Sequence, residues 1–336
     1  MISLAQKYRP NNLDDVVEQD LTKAILKAQL EQDKVAGCYL FVGGAGQGKS
    51  TIGFILAKEI NQTDNSYIIV DATNNGSADA MRELVEDAMT KPLNYKKKVY
   101  IIEECQGISS KVAWDTLLRI FEFTPSHVCF ILTTTNPEKL PLPILSRVQR
   151  FNILPITNEG IKNRLIYICN QEHIEYDELA IEHIAKLVKG SMRNAIQIVD
   201  LVHANGKITS PAVTQAVTGG SYQLMFDILF AWLDKCGEVV IDTANKVQLS
   251  GGNMNQFVVE LFRLTLDINI YRITKDISKT MLPNSAKEIL DKLDEKDYTN
   301  ITVLMKSLKT LQYRVKQSTT AKEELVAELL TIERND

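Results

Sequence analysis

Nothing in this 336-residue chain approaches the run of roughly 20 apolar residues that a membrane-spanning helix needs. The opening MISLAQKYRP has no apolar signal core either. A cytoplasmic protein with no membrane partner is therefore expected. Cysteine is sparse: Cys38, Cys105, Cys129, Cys169 and Cys236, an odd number with no CxxC-type pair. That scatter argues against a disulfide framework and against zinc, and it predicts reduced core thiols. An excess of basic charge is also lacking, with 38 Lys and Arg against 42 Asp and Glu, a net charge of −4. Bulk charge thus does not by itself point to nucleic-acid binding, and contact with DNA would need a local patch or an assembly. There is no internal repeat and no low-complexity tail.

What is present between Cys38 and Ile153 is an alternation of short apolar runs and amphipathic segments. CYLFV (38–42), YIIVDA (67–72), VYIIE (99–103), VCFILTT (128–134) and the shorter QRFNI (149–153) read as strands. Helices are predicted from Lys49 to about Ile60, near Ser77–Met89 and from about Ser110 to Phe121. Continuous apolar runs separated by helices predict buried parallel strands, and hence an α/β fold with a five-stranded sheet between helices. After Leu154-Pro155 the strands stop. Residues 157–171, 177–188 and 192–204 read as helices, with breaks at Gly190-Ser191 and Asn205-Gly206, and Pro211 opens one more. A hinge is expected at Gly219-Gly220, followed by an all-helical region broken near Gly251-Gly252 and Pro283-Asn284. The expected domains are 1–155, 156–220 and 221–336.

Four motifs carry chemistry. Gly43-Gly44-Ala45-Gly46-Gln47-Gly48-Lys49-Ser50 fits the phosphate-binding pattern GxxxxGK[ST], with Thr51 next in line. Glycines let the backbone curl so that N–H groups point at phosphate oxygens, and the following helix offers its positive end. Lys49 adds charge at the terminal phosphates, and Ser50 offers Mg²⁺ a hydroxyl. ATP and Mg²⁺ are therefore the expected ligands. Glu103-Glu104 closes the third strand, where one carboxylate, Glu103, would hold hydrated metal and the second, Glu104, would polarise the attacking water. Thr133-Thr134-Thr135-Asn136 ends the fourth strand, where a hydroxyl or amide can face the γ-phosphate or that water. Arg147, in Ser146-Arg147, has no obvious acidic partner nearby. Its residue type fits either an exposed solubilising arginine or a finger for a neighbouring subunit's ATP, and the same two readings apply to Arg193.

In order, these motifs resemble the clamp-loader branch of AAA+ ATPases, above all the bacterial DNA polymerase III gamma/tau type. The opening Lys7-Tyr8-Arg9-Pro10-Asn11-Asn12-Leu13-Asp14-Asp15-Val16-Val17 is similar to that family's start. The resemblance implies that Tyr8, Arg9, Pro10, Val16 and Val17 line the adenine pocket. Thr134–Pro141 with Ile144-Leu145-Ser146-Arg147 resembles the sensor-1 segment and the "SRC" box. It implies Thr135 as sensor 1 and Arg147 as a finger acting in trans. Gly190-Ser191-Met192-Arg193-Asn194-Ala195 resembles the sensor-2 box, which implies that Arg193 reaches the γ-phosphate in cis. The resemblance is specific over about residues 5–220, and the last third is similar only in being helical, like the family's oligomerisation collar. It departs from the pattern in three places: Glu103 replaces the usual Asp, Val148 replaces the cysteine of the box, and Asn61–Ser66 has no room for the four-cysteine zinc module.

The implied function is an ATPase subunit of a clamp loader, phage-encoded or minimal. It would use ATP binding to open a sliding clamp and hydrolysis to release it on primer-template DNA, within a ring-like, pentameric assembly of clamp-loader subunits. A weakly hydrolysing assembly subunit, with Glu103 as the symptom, is one alternative. A Holliday-junction motor or a helicase loader is another. The segment Thr73–Arg82 resembles a DNA-facing helix start, with Arg82 its only basic residue.

Overall fold

The five apolar runs form one parallel sheet, β1 (Cys38–Val42), β2 (Tyr67–Asp71), β3 (Lys98–Glu103), β4 (Val128–Thr134) and β5 (Gln149–Asn152). Its order is β2-β3-β4-β1-β5. The computed structural model describes residues 2–63, 66–204, 206–218, 221–249, 253–282, 286–316 and 318–332. The breaks expected at Gly219-Gly220, Gly251-Gly252 and Pro283-Asn284, and Asn205 of another, lie outside the described residues.

The central strands read as unbroken apolar runs because both of their faces are covered. Alternate residues point to opposite faces. Cys38, Leu40, Val42, Tyr100, Ile102, Phe130 and Leu132 share a core with the helices Ala78–Ala88 and Lys111–Glu122. Tyr39, Phe41, Val99, Ile101, Ile131 and Phe151 share another with Lys49–Asn61 and Asp20–Glu31. The side-chain hydroxyls of Ser77 and Ser110 cap the first two of these helices, each accepting from the backbone N–H three residues on.

β2 departs from the expectation of a buried strand. It lies at the sheet's edge, and Ile68 and Ile69 are 47% and 50% exposed. Edge position is a matter of strand order, which an apolar run of this length does not encode.

By compactness the chain divides into two units: Met1–Ile168 with Val188–Gln197, and Cys169–Leu187 with Ile198–Asp336. The second unit is helical among its described residues apart from one isolated bridge, Tyr176 to Ile208. Its core draws on the helices Ser221–Leu233, Gly237–Leu249, Met254–Thr274, Glu295–Val315 and Ala321–Thr331, with Trp232, Leu261, Ile268, Leu304, Leu308 and Leu325 fully buried or nearly so. No helix among the described residues is long and apolar enough to cross a membrane.

Of the cysteines, Cys38, Cys105, Cys129 and Cys169 are buried, and burial pushes each thiol up, Cys38 and Cys169 to about 11 and Cys105 to about 12. Cys236 is exposed, against the expectation of a core thiol, because it follows the end of Ser221–Leu233.

Candidate nucleotide site

β1 ends at Val42, and the chain then curls through Gly43–Gly48 into the helix Lys49–Asn61. Two glycines make the curl possible, Gly46 with φ +73° and Gly48 with φ +99°. At Gly46 a Cβ would also collide with the Ser191 hydroxyl, and the Gly46 carbonyl accepts from the Arg193 N–H at 3.4 Å. The tip of the loop thus rests on the Gly190–Arg193 segment. Gln47 is buried and folds back, its Oε1 accepting from the Gly44 N–H at 2.5 Å. Ala45 stands exposed at the loop's crest, and Gly43, Ser50 and Thr51 are half-buried.

Lys49 is 5% exposed, and its ammonium donates to the Gly44 carbonyl at 2.9 Å. Burial pulls its pKa below the ordinary lysine value. Glu104 opposes that shift, Arg193 adds to it and Glu103 opposes it again. Glu104, Arg193 and Glu103 thus all lie within electrostatic reach of Lys49. Burying an ammonium is costly unless an anion shares the site. A phosphate chain meets that need, and the helix N-terminus beside it adds favourable dipole. The residues present fit a nucleoside triphosphate. Ser50, at the start of the helix, and Glu103, at the end of β3, are the groups that would hold Mg²⁺. Among the described residues no cluster of three or more His, Cys, Asp or Glu is placed to hold a metal.

Glu104 follows β3 with φ +47° and ψ +49°, a left-handed conformation that is uncommon for a residue with a Cβ. The backbone there is tied by Glu104 N–H to Thr133 Oγ1 (3.3 Å) and by Gly107 N–H to the Glu104 carbonyl (2.8 Å). The carboxylate Oε2 lies 2.6 Å from Gln106 Nε2 and 3.3 Å from the Thr135 hydroxyl. Glu104 and Thr135, predicted separately, are thus brought together, and Gln106, which no motif marked, lies between them.

The expected adenine-pocket residues split into two groups. Val16 is buried in the core beside Ile52 and Ile55, and Val17 is half-buried. Next to them Glu18 and Gln19 both take positive φ and grip the chain around Pro155. Gln19 exchanges two hydrogen bonds with the Leu154 backbone, and the Glu18 carboxylate accepts from Thr157 N–H and Oγ1. This grip has no counterpart in the motif reading. The Tyr8 carbonyl accepts from Arg164 Nη2 at 3.0 Å, and its ring meets Tyr167 edge-on at 6.3 Å. Arg9 lies over the Phe54 ring at 4.4 Å and donates to Thr51 Oγ1 at 3.4 Å, so it reaches the phosphate-loop helix. Pro10 is half-buried beside it.

Arg147 has an acidic partner after all. Its Nη2 pairs with Glu122 Oε1 at 2.6 Å, and its Nη1 donates to the Pro143 carbonyl and to Ser146 Oγ. Glu122 ends the helix Lys111–Glu122, 25 residues upstream, and only the fold brings the two together. The pair opens into a surface hollow shared with Phe121, Phe123 and Ser146. Arg193 is exposed. Arg82 pairs with Asp79 one turn away on the helix Ala78–Ala88.

Strand order, phosphate loop and carboxylates at the end of β3 define an AAA+ P-loop module. RuvB from Thermotoga maritima, a Holliday junction branch migration motor, matches it with a TM-score of 0.54 over 76% of this chain and 86% of its own. At 21% identity that likeness carries the fold alone. Two family models match in sequence, one described as DNA polymerase III, delta subunit, over residues 60–157, and one as DNA polymerase III clamp loader subunit, ATPase lid domain, over 160–207. The chain is a relative of the gamma/tau subunits of bacterial DNA polymerase III. It is 31% identical over 313 residues to that of Mycoplasma genitalium (86% of this chain, 52% of the relative). It is 28% identical to the tau subunit of Bacillus subtilis (93% and 60%). The chain spans about half the length of such curated relatives.

Proposed function

We propose that this chain is the ATPase subunit of a sliding-clamp loader, in which ATP binding opens the clamp and hydrolysis releases it on primer-template DNA. The observation that supports this most is the buried Lys49 bonded to the phosphate loop, whose Gly46 carbonyl accepts from the Arg193 N–H, in a chain whose relatives are gamma/tau subunits. Residues 1–155 serve as the nucleotide module, 156–220 as the lid and 221–336 as the collar that joins the subunits of a ring. Tyr8, Arg9, Pro10, Val16 and Val17 hold the adenine end. The loop Gly43–Thr51 wraps the phosphates, and Lys49 and Arg193 place positive charge on them. Bound Mg²⁺, held by Ser50 and Glu103, supplies charge that neutralises phosphate oxygens. Glu104 polarises the attacking water, with Thr135 beside it. Arg147 leaves Glu122 to serve the ATP of a neighbouring subunit.

Mixing variants tests this reading. Arg147→Ala should leave each subunit's own nucleotide affinity within about twofold, because Arg147 bonds to Glu122, Pro143 and Ser146. It should cut clamp- and DNA-stimulated turnover of the assembly by about 10³-fold, the usual scale for a trans arginine. Combining it with Lys49→Ala subunits should restore part of the rate, since some interfaces then pair an intact loop with an intact arginine. Full turnover by the isolated wild-type chain, with no gain from clamp and primed DNA, rejects the proposal. The Holliday-junction reading rests on fold alone.

A further inference from the structure

Gln106 is the middle residue of the short 3-10 turn Cys105–Gly107 that follows Glu104. Its side-chain amide makes three contacts at once. Nε2 lies 2.6 Å from Glu104 Oε2 and 3.1 Å from Thr135 Oγ1, and Oε1 lies 2.6 Å from Thr134 Oγ1. The donors and acceptors fit in one orientation. The backbone N–H of Asn136 donates to Thr134 Oγ1 at 3.0 Å, so the Thr134 proton is left for Gln106 Oε1. With the amide turned over, its carbonyl oxygen would face a carboxylate oxygen at 2.6 Å with no proton between them. Thr134 is fully buried at the end of β4 and paired in register with Val42 of β1. It is a rigid anchor, and Gln106 carries that rigidity across to a carboxylate on the neighbouring strand's exit.

We infer that Gln106 is a positioning residue for Glu104. It holds Oε2 by a charge-assisted hydrogen bond, which is stronger than one between neutral groups. Oε1, which accepts no hydrogen bond from the described residues, is thereby the oxygen presented to the attacking water. Thr135 is held by the same amide, so the end of β3 and the end of β4 keep one mutual geometry through Gln106. This rests on the reading of Glu104 as the carboxylate that polarises water.

The test is a double-mutant cycle in the full chain, read by single-turnover hydrolysis with protein in excess over labelled ATP. Nucleotide titration and thermal melting are run alongside. Gln106→Met keeps the length of the side chain and removes both hydrogen-bonding ends. It should lower the hydrolysis rate about 10-fold or more, with nucleotide affinity within about twofold of wild type. In a Glu104→Gln background the same substitution should change the rate less than about twofold, because the group it positions is already lost. Thr134→Val, which removes the anchor, should act in the same direction and not add to Gln106→Met. A Gln106→Met rate within twofold of wild type overturns the inference, as does an equal loss in both backgrounds. A normal rate for Glu104→Gln by itself would instead overturn the underlying reading of Glu104.

Discussion

The two units of this chain use left-handed backbone for different ends. In the helical unit His173, Lys235 and Lys275 take positive φ one or two residues past a helix C-terminus, where the turn stops the helix. In the sheet unit Asp33 and Gln62 do the same, but Glu18, Gln19, Gly46, Gly48 and Glu104 do not end helices. They sit where side chains must converge: Glu18 and Gln19 on the chain around Pro155, the glycines around Lys49, and Glu104 beside Gln106 and Thr135. Each non-glycine residue held this way costs of order 1–3 kcal/mol. A helix end recovers that cost in its own capping bonds. At Glu104 it is offset by ties to Thr133 and Gly107 and by the placement of the carboxylate. One unit is organised by packing and the other by aim.

Substitutions in each unit should separate these two economies. The largest effect is expected from Trp232→Ala in the helical core, where a fully buried indole is removed. A loss of about 3–5 kcal/mol of stability is expected from the cavity and the lost burial. Nucleotide affinity of the folded fraction should stay within about twofold; calorimetry and titration on one sample check both. Lys49→Ala should behave in the opposite manner. Removing a buried ammonium relieves its desolvation, so the melting temperature should hold or rise. ATP affinity should fall at least about 100-fold, roughly 3 kcal/mol for a lost charge-assisted contact. Retention of wild-type affinity would remove the lysine from the site.

The smallest effect belongs to His183 on the helix Glu178–Leu187, whose pKa burial lowers to about 4, with Lys186 adding to the shift. Its Nδ1 is buried without a hydrogen-bond partner among the described residues. The unfolded chain takes up this proton near pH 6.5, before the folded chain does. Stability from the neutral ring is therefore present above about pH 6.5 and is lost as pH falls toward 4. The loss amounts to about 2 kcal/mol by pH 5. His183→Leu should flatten that acid limb in denaturant titrations, and an unchanged slope would place the proton elsewhere.

The sequence announced what local patterns encode. The phosphate loop lies between a strand and a helix as expected, and the helices expected near Ser77 and from about Ser110 begin there, capped by those serines. What escaped depends on strand order. β2 has the same apolar run as the inner strands, yet it is an edge. Arg147 looked unpaired because Glu122 is 25 residues away in sequence. Gln106 carries no signal, because its meaning lies in Thr134 and Thr135, which reach it from the neighbouring strand. The exposed Cys236 shows the limit of reading burial from residue type.

The strand order also sets a schedule for the growing chain. Cys38 of β1 pairs with Phe130 of β4, and Tyr39 with Gln149 of β5, so both neighbours of β1 are made about 90 to 110 residues after it. At a synthesis rate of about 5–20 residues per second, CYLFV waits roughly 5–20 seconds without a partner on either side. β2 and β3, separated by one helical crossover, can pair earlier. The strand that will carry the phosphate loop is thus the last of the inner strands to be enclosed, and the nascent chain is most exposed to misassociation and to chaperones during that interval.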